Sequence, residues 1–357
     1  MNQRIERLMA KLPEEIDCAL ITSDINRRYF TGMRSTAGTV LCFREEAYLI
    51  IDFRYIEKAR QAAQGCVVLQ QDNLYAQIRT LLEKHGAKCM AAEAMELTLS
   101  RFAQLEEKLG DCIELDASNT LSKAVYACRM VKEPEELQKI RDAQQLAETA
   151  FQHILTFIRP GVTEREIRME LDFTMIRLGA EDLSFPTIAL TGASTSMPHG
   201  VPSSKVVEKG AFVLMDYGAV VDGYHSDMTR TVAVGPPSEE MEKVYHVVLE
   251  AQKKSLDAVR AGLTGQQLDA VARAHIAQAG YGEHFGHSLG HGVGLEIHEY
   301  PNAAPSGGTV LRPGHVITVE PGIYLPGRFG VRIEDFVAVT ETGCENLTKA
   351  PKELIIL

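Results

Sequence analysis

A repeated segment in the second half of the chain is the feature that most constrains its fold. Residues 159–179 read RPGVTEREIRMELDFTMIRLG, and residues 260–280 read RAGLTGQQLDAVARAHIAQAG. The two align without a gap and share an arginine, a glycine, a threonine and a closing glycine. In each, a threonine (Thr163 or Thr264) stands at the N-cap position with Glu or Gln three residues later, as in a capping box, and the final glycine ends the helix. The repeat predicts two copies of one structural unit.

The likeness continues into the segments that follow each helix. VEKGAFVLMDYGAV and LRPGHVITVEPGIY both have a glycine, an alternating strand, and a carboxylate six residues after the glycine. A second strand with its own carboxylate follows, and a loop histidine precedes each strand pair. The carboxylates are Asp216 and Asp227 in the first copy and Glu320 and Glu334 in the second; the histidines are His199 and His298. The pattern predicts a domain with a pseudo-two-fold and a site between its copies.

The segment GHSLGHGVGLEIHE, residues 286–299, places His287, His291 and His298 among closely spaced glycines. Each glycine inside a helix costs about 1 kcal/mol relative to alanine, so the segment is not expected to be helical. It is typical of a backbone that passes close to another group. Imidazole is a frequent metal ligand and carries protons near neutral pH.

All four repeat carboxylates lie in apolar strand contexts. Burying four anions together requires cations that neutralise them. Arg230 and Arg332 could offset part of the charge, but an ion-pair cluster gives no reason for matched placement in both copies. Four carboxylates and one imidazole favour Mn²⁺, Fe²⁺ or Co²⁺. Two such ions, about 3.5 Å apart, could share a hydroxide and hold a carbonyl from both sides, so the expected reaction is hydrolysis.

The first part of the chain has a different pattern, and we predict two domains, residues 1–127 and 128–357. Strand-like runs at 16–22, 40–43 and 47–51 alternate with helical patterns at 54–64, 74–85 and 100–109, as in an α/β sheet domain. A long helix is predicted from Pro134 to Arg159. We found no constellation for chemistry in the first part.

Composition limits the partners and the compartment. The net charge is −11 and no basic run is present, which argues against nucleic acid and anionic membranes. The charged N-terminus does not read as a signal peptide, and no apolar run approaches the roughly 18 residues of a membrane span. The seven cysteines include no C-x-x-C pair and are expected to be free thiols in a reducing cytoplasm.

The second part resembles the pita-bread metallopeptidases, the superfamily of methionine aminopeptidase, aminopeptidase P, prolidase and creatinase. The matching strings are MPHG, MDYGAVVDGYHSDMTRT, GHSLGHGVGLEIHE, ITVEPGIY and VRIEDFVAV. The first part resembles the creatinase-type N-terminal domain, through INRRYFTGMRSTAGTVLCF and LIIDFRYIEKA. Methionine aminopeptidases lack that domain, so the chain is most similar to the Xaa-Pro dipeptidase (prolidase) and aminopeptidase P branch.

The resemblance implies specific residue roles. It implies five ligands for two divalent ions, with Mn²⁺ expected first and Co²⁺, Fe²⁺ or Zn²⁺ as alternatives: Asp216, Asp227, His291, Glu320 and Glu334. Three residues are expected to be catalytic: Glu320 as a proton shuttle, His298 at the scissile carbonyl, and His199. Substrate is expected to meet His199, His287, His298 and Arg332, although a structural hydrogen bond is an equal alternative for His287. Arg332 is also expected to hold Asp227 or a neighbouring carboxylate.

The implied activity is hydrolysis of the Xaa-Pro bond at the N-terminus of dipeptides or short peptides through a metal-bridging hydroxide. The resemblance also implies a homodimer in which one subunit's N-terminal domain walls the other's pocket. Two alternatives are a metal-free creatinase-like C–N hydrolase and a non-catalytic peptide-binding module. The complete ligand set argues against both. The choice between dipeptides and longer peptides stays open.

Overall fold

The computed structural model describes residues 1–357, which divide into two compact units, Met1–Arg129 and Met130–Leu357. The predicted boundary after residue 127 falls inside the last helix of the first unit, Thr120–Met130. That boundary stays a prediction. No helix in either unit is long and apolar enough to cross a bilayer.

The first unit is an α/β domain with a six-stranded sheet in the order β4-β3-β2-β1-β5-β6. β1 pairs antiparallel with β2, and β2 with β3, while the outer pairs are parallel. Its strands are β1 Cys18–Ile21, β2 Thr39–Phe43, β3 Ala47–Ile51, β4 Val67–Gln70, β5 Cys89–Ala92 and β6 Glu114–Asp116. Its helices are α1 Gln3–Lys11, α2 Asp24–Thr31, α3 Ile56–Ala62, α4 Leu74–His85, α5 Leu99–Leu109 and α6 Thr120–Met130.

Local sequence signals account for these elements. The side chain of Asn73 caps the first turn of α4, and Gly86 ends that helix with a φ of 60°. β2 and β3 are buried along their whole length, which fits continuous apolar runs covered on both faces. The strands and helices predicted in this part are confirmed, with bounds that shift by up to two residues.

The second unit contains four helices and four small sheets. Its helices are α7 Pro134–Phe157, α8 Glu164–Arg177, α9 Glu239–Ala258 and α10 Gly265–Gln278, with 3₁₀ turns at Gly192–Ser196 and Gly282–His284. Its strands are β7 Asp182–Leu183, β8 Ile188–Thr191, β9 Ala211–Tyr217, β10 Ala219–Val221, β11 Tyr224–His225, β12 Met228–Val234, β13 Gly290–Gly292, β14 Glu299–Ala303, β15 Val316–Val319, β16 Gly322–Leu325, β17 Phe329–Arg332, β18 Asp335–Val339 and β19 Cys344–Asn346. The sheets run β8-β9-β12, β14-β13-β15-β18-β19, β7-β10-β11 and β16-β17.

The two copies of the repeat are visible in this arrangement. α7, α8 and the antiparallel trio β8-β9-β12 form the first copy; α9, α10 and the trio β13-β15-β18 form the second. Thr163 and Thr264 cap their helices in complete capping boxes, as predicted. Each also bridges to a distant residue of its own copy, Val206 or Val310. The predicted repeat is therefore confirmed in the local geometry of both helices.

Alternation along the strands decides which side chains reach the site. Met215 and Tyr217 pack in the core beneath α7 and α8, so Asp216 between them faces the opposite side of β9. Ile317 and Val319 pack beneath α9 and α10, so the neighbouring Thr318 faces away from the helices. Each sheet therefore packs one face against its helices and presents polar side chains on the opposite face.

Candidate metal centre

A cavity of about 710 Å³ lies on the polar faces of the two copies. Side chains from both copies line it, which fits the site predicted between them. All nine residues proposed from the sequence are among the lining residues: His199, Asp216, Asp227, His287, His291, His298, Glu320, Arg332 and Glu334.

Three of these side chains converge tightly on one point. One donor atom from each of Asp227, His291 and Glu334 lies within 4.8 Å of the other two. The Nε2 atom of His291 is 3.5 Å from Asp227 Oδ2 and 3.4 Å from Glu320 Oε1. His291 Nδ1 lies 3.0 Å from the carbonyl oxygen of Gly292, which only an N–H can satisfy, so Nε2 carries the free lone pair. Burial and the neighbouring His298 lower the pKa of His291 to about 4, so the ring is neutral and able to ligate.

The carboxylates have oxygens that the protein does not satisfy. Arg332 Nη2 donates to Asp216 Oδ2 over 2.5 Å, but Asp216 Oδ1 is buried without a hydrogen-bond partner. Asp227 Oδ1 is likewise buried and unpaired. A buried carboxylate oxygen without a donor carries a desolvation cost that a bound cation would remove.

Burial and mutual repulsion raise the pKa of three acids that line the cavity, Asp227, Glu320 and Glu334. Burial, followed by the charges of Glu334 and Asp216, raises the pKa of Asp227. Burial, followed by Glu320 and Asp216, raises the pKa of Glu334. Burial raises the pKa of Glu320 to about 8, even though Arg332 opposes the shift. One arginine does not compensate four buried or half-buried acids, so the donor set fits divalent cations of the hard class.

Glycine lets the backbone of β13 approach β15 closely enough to build this cluster. A Cβ atom at Gly290 would lie 2.1 Å from the carbonyl oxygen of Thr318. With that approach, the backbone N–H of His291 donates to Thr318 Oγ1 over 3.0 Å, and Thr318 Oγ1 donates to Glu320 Oε1 over 3.0 Å. The hydroxyl of Thr318 thus holds both the backbone of His291 and the carboxylate of Glu320.

Comparison with known protein families agrees with this geometry. Residues 138–341 match the model of metallopeptidase family M24, and residues 3–131 match that of the creatinase/prolidase N-terminal domain. The chain belongs to metallopeptidase family M24.

Relatives of this M24 peptidase match it over nearly its whole length. The Bacillus subtilis (strain 168) peptidase YqhT is 41% identical over 343 residues, 96% of each chain. The solved structure titled as an Xaa-Pro dipeptidase from Bacillus anthracis is 44% identical and covers 99% of both chains with a TM-score of 0.95. The X-Pro aminopeptidase structure from Thermotoga maritima MSB8 is 38% identical, with a TM-score of 0.92 over 99% of this chain and 100% of that one.

These matches confirm the predicted fold, a creatinase-type N-terminal domain followed by a pita-bread catalytic domain. They also confirm that the M24 peptidase is a metal-dependent peptidase. The metal-free hydrolase and the non-catalytic binding module are accordingly disfavoured. The family implies divalent metals, for which the converging donors provide a site.

Residues that the sequence analysis missed connect the candidate ligands of the M24 peptidase. Thr229 Oγ1 donates to Glu334 Oε2 over 2.6 Å and accepts from Arg332 Nε over 3.0 Å. Arg332 Nη1 donates to the hydroxyl of Tyr324 over 2.8 Å. Thr229 stands two residues after Asp227, and Thr318 two before Glu320. The period of two along strands was the signal that could have identified both threonines.

The remaining histidines of the M24 peptidase occupy different parts of the cavity wall. His298 and His199 are exposed to the cavity, and the His298 ring lies 4.2 Å, centroid to centroid, from that of His291. Burial, followed by the nearby His199, lowers the pKa of His298. His287 has both ring nitrogens engaged, Nδ1 with the Ser288 carbonyl at 2.8 Å and Nε2 with Tyr324 Oη at 2.9 Å. His298 and His199 therefore have donors available for a ligand, and His287 does not.

Proposed function

We propose that this chain hydrolyses the Xaa-Pro bond at the N-terminus of dipeptides or short peptides. One observation supports the proposal above all others. Four carboxylates and a neutral imidazole from both halves of a duplicated domain line one cavity with unpaired oxygens. Two relatives are named as an Xaa-Pro dipeptidase and an X-Pro aminopeptidase, and these names support the proposal that the Xaa-Pro bond is the one cleaved.

The proposed cofactor is a pair of divalent ions, with Mn²⁺ favoured over Co²⁺, Fe²⁺ and Zn²⁺ because carboxylates dominate the donor set. When bound, such ions would neutralise the acids, polarise the scissile carbonyl and make water more acidic. The residues that would hold them are Asp216, Asp227, His291, Glu320 and Glu334.

The protein's own groups are proposed to handle protons and orientation. Glu320 would take a proton from the attacking water and deliver it to the proline nitrogen as the peptide bond breaks. His298 would donate a hydrogen bond to the scissile carbonyl oxygen, where negative charge develops. His199, also exposed to the cavity, would orient the peptide beside it.

The proposed substrate roles of His287 and Arg332 are less direct. Since the nitrogens of His287 bond to the protein, its ring would meet substrate through carbon atoms. Arg332 is buried and directs its donors to Asp216, Thr229 and Tyr324. We therefore propose that it acts on substrate through the position of Asp216.

An assay with Ala-Pro tests the function. Cleavage with Mn²⁺ that stops with a chelator and returns with added metal is the expected result. Chelator-insensitive cleavage would contradict the metal-dependent mechanism. Turnover of creatine without metal would support the creatinase-like alternative, and peptide binding without turnover would support the binding module.

Assembly and location are proposed from the family resemblance. We propose a cytoplasmic homodimer in which one subunit's N-terminal domain walls the partner's cavity, with the domain boundary after residue 127. Light scattering on the purified chain would measure the mass of the assembly, and a monomer would contradict the proposal. Cell fractionation tests the location, and limited proteolysis tests the boundary.

A further inference from the structure

The cavity of the candidate metal centre has one permanently charged side chain whose N–H groups are not all bonded to the protein. Its lining includes two arginines and no lysine. Arg332 is 3% exposed, and its donors go to protein groups. The other is Arg168 on α8, whose side chain is 40% exposed.

Hydrogen bonds hold Arg168 beside the start of β8, which pairs with the strand that carries Asp216. Its Nε donates to Asp172 Oδ2 over 3.3 Å, and Asp172 Oδ1 accepts from Thr187 Oγ1 over 2.6 Å. Thr187 is 1% exposed and precedes Ile188, which pairs with Asp216 in the sheet. The two terminal nitrogens of Arg168 form no hydrogen bond with the protein. The arginine is thus anchored through one nitrogen and presents a free two-donor edge at the cavity.

The second copy of the repeat carries the same pair with its charges reversed. Asp269 and Arg273 occupy the positions aligned with Arg168 and Asp172. There, the arginine donates to Asp269 and to the carbonyl oxygens of residues 285 and 287, while Asp269 also accepts from the N–H of residue 289. The hydrogen bonds of that pair hold the loop at residues 285–289 in place. In the first copy, the reversed order leaves the two terminal nitrogens of the guanidinium without a protein partner.

We propose that Arg168 binds the C-terminal carboxylate of an Xaa-Pro dipeptide and thereby favours dipeptides over longer or amidated peptides. The inference rests on the proposed function. A planar guanidinium with two free N–H groups matches a carboxylate through two parallel hydrogen bonds. The only other arginine that lines the cavity, Arg332, has its donors engaged by protein groups, so a carboxylate has no other free permanent cation to meet there. The wild-type chain is accordingly expected to prefer a free C-terminus directly after proline.

The test measures kcat and KM for Ala-Pro, Ala-Pro amide and Ala-Pro-Ala with the Mn²⁺-loaded full chain. Arg168→Ala is expected to raise KM for Ala-Pro about tenfold with kcat within about twofold, because binding is lost while the reacting centre is unchanged. The amide should be a poorer substrate for the wild type by a similar factor, and Arg168→Ala should not change its KM. Arg168→Lys should recover part of the preference, since it keeps the charge without the planar fork.

Arg165→Ala is the matched control, because Arg165 is an exposed arginine on the same helix that does not line the cavity. It should behave as the wild type. Equal losses on Ala-Pro and its amide would indicate a structural effect and overturn the proposal. So would an effect on Ala-Pro-Ala alone, or no effect on any substrate. Wild-type chain that cleaves none of the three peptides would instead overturn the proposed function, and this inference with it.

Discussion

Two groups of charged side chains lie side by side in the catalytic unit, one around the acids of the candidate metal centre and one around Asp335, and their charges are compensated in opposite ways. Glu334 and Asp335 are adjacent and almost fully buried, at 2% and 0% exposure. Burial and neighbouring acids raise the pKa of Glu334. Burial alone would also raise the pKa of Asp335, but Arg230 and Lys352 hold it below its usual value. Neighbouring acids on one segment therefore experience opposite electrostatic surroundings.

The surroundings of Asp335, here called the Asp335 cluster, are complete within the protein. Arg230 Nη2 donates to Asp335 Oδ1 over 2.7 Å, and Lys352 Nζ pairs with Oδ2. Gln252 and Asn346 also donate to Oδ2, over 3.0 and 2.8 Å. The metal centre has one arginine for four acids and two unpaired buried oxygens. The contrast teaches that burial of an acid does not mark a metal site, whereas burial without protein partners does.

The largest effect is expected when one of the proposed metal ligands is removed. Asp227→Ala or Glu334→Ala should lower activity at least about 10³-fold and reduce the bound metal measured by elemental analysis. Neither change should destabilise the metal-free chain, because each removes a repelling acid. Near-normal turnover in either variant would show that the ligand assignment is wrong.

The opposite result is expected in the Asp335 cluster. Asp335→Asn should lower the free energy of unfolding by about 3 kcal/mol or more, because it leaves the buried Arg230 without its counter-charge. Metal content should be unchanged. Urea unfolding measures the effect, and Glu345→Gln is the control, since its pair with Arg141 is partly exposed and worth little. A stable Asp335→Asn chain would remove the distinction between the two groups.

A smaller effect separates ligands from groups that act on substrate. His298→Ala should lower kcat about 10²-fold while the metal content is retained, if the imidazole stabilises the developing oxyanion. His246→Ala, an exposed histidine on α9, should have no effect. Loss of metal from the His298 variant would instead make this residue part of the ion site.

The smallest effect concerns pH in the metal-free chain. The pKa of Glu320, raised to about 8, means that the folded state binds a proton that the unfolded state has released above its usual pKa. Stability from this group is complete below the unfolded pKa and is lost as pH rises through 8. Between pH 6.5 and 8, where His291 and His287 are neutral in the folded state, unfolding free energy should fall by about 1 to 2 kcal/mol.

Saturating Mn²⁺ should abolish this slope, because bound cations keep the carboxylate ionised. Glu320→Gln should make the slope shallower without metal, while Asp227 and Glu334, whose pKa values are also raised, keep part of it. Chemical denaturation at several pH values provides the measurement, and a metal-free chain whose stability rises across this interval would contradict the prediction.

Local signals allowed much of the fold to be predicted. The caps at Thr163 and Thr264 and the ends of α4 depend on residues within a few positions of each other. The matched carboxylates could be found because duplication places them at corresponding points of two strands. The roles assigned to them stay predictions for the variants above to test.

What the sequence did not reveal depends on contacts between distant segments. Thr229 meets Glu334 from 105 positions away. A carboxylate partner was expected for Arg332 from the family resemblance alone, and that partner is Asp216, 116 positions away. The periodicity of a helix or strand gives no information about contacts between residues so far apart in the sequence. The free edge of Arg168 was missed for a different reason, since an Arg and an Asp four residues apart on a helix are typical of an ordinary surface pair.

The close passage of Gly290 against Thr318 has a consequence for mutational scans of this enzyme. Any L-residue at position 290 would push β13 away from β15 and move the imidazole of His291 away from the carboxylates. Activity would be lost although position 290 takes no part in the chemistry. A screen scored by activity would therefore give this glycine the same importance as the proposed metal-binding acids. Metal content and unfolding measured on the same variants would distinguish a disrupted strand pairing from the loss of a metal ligand.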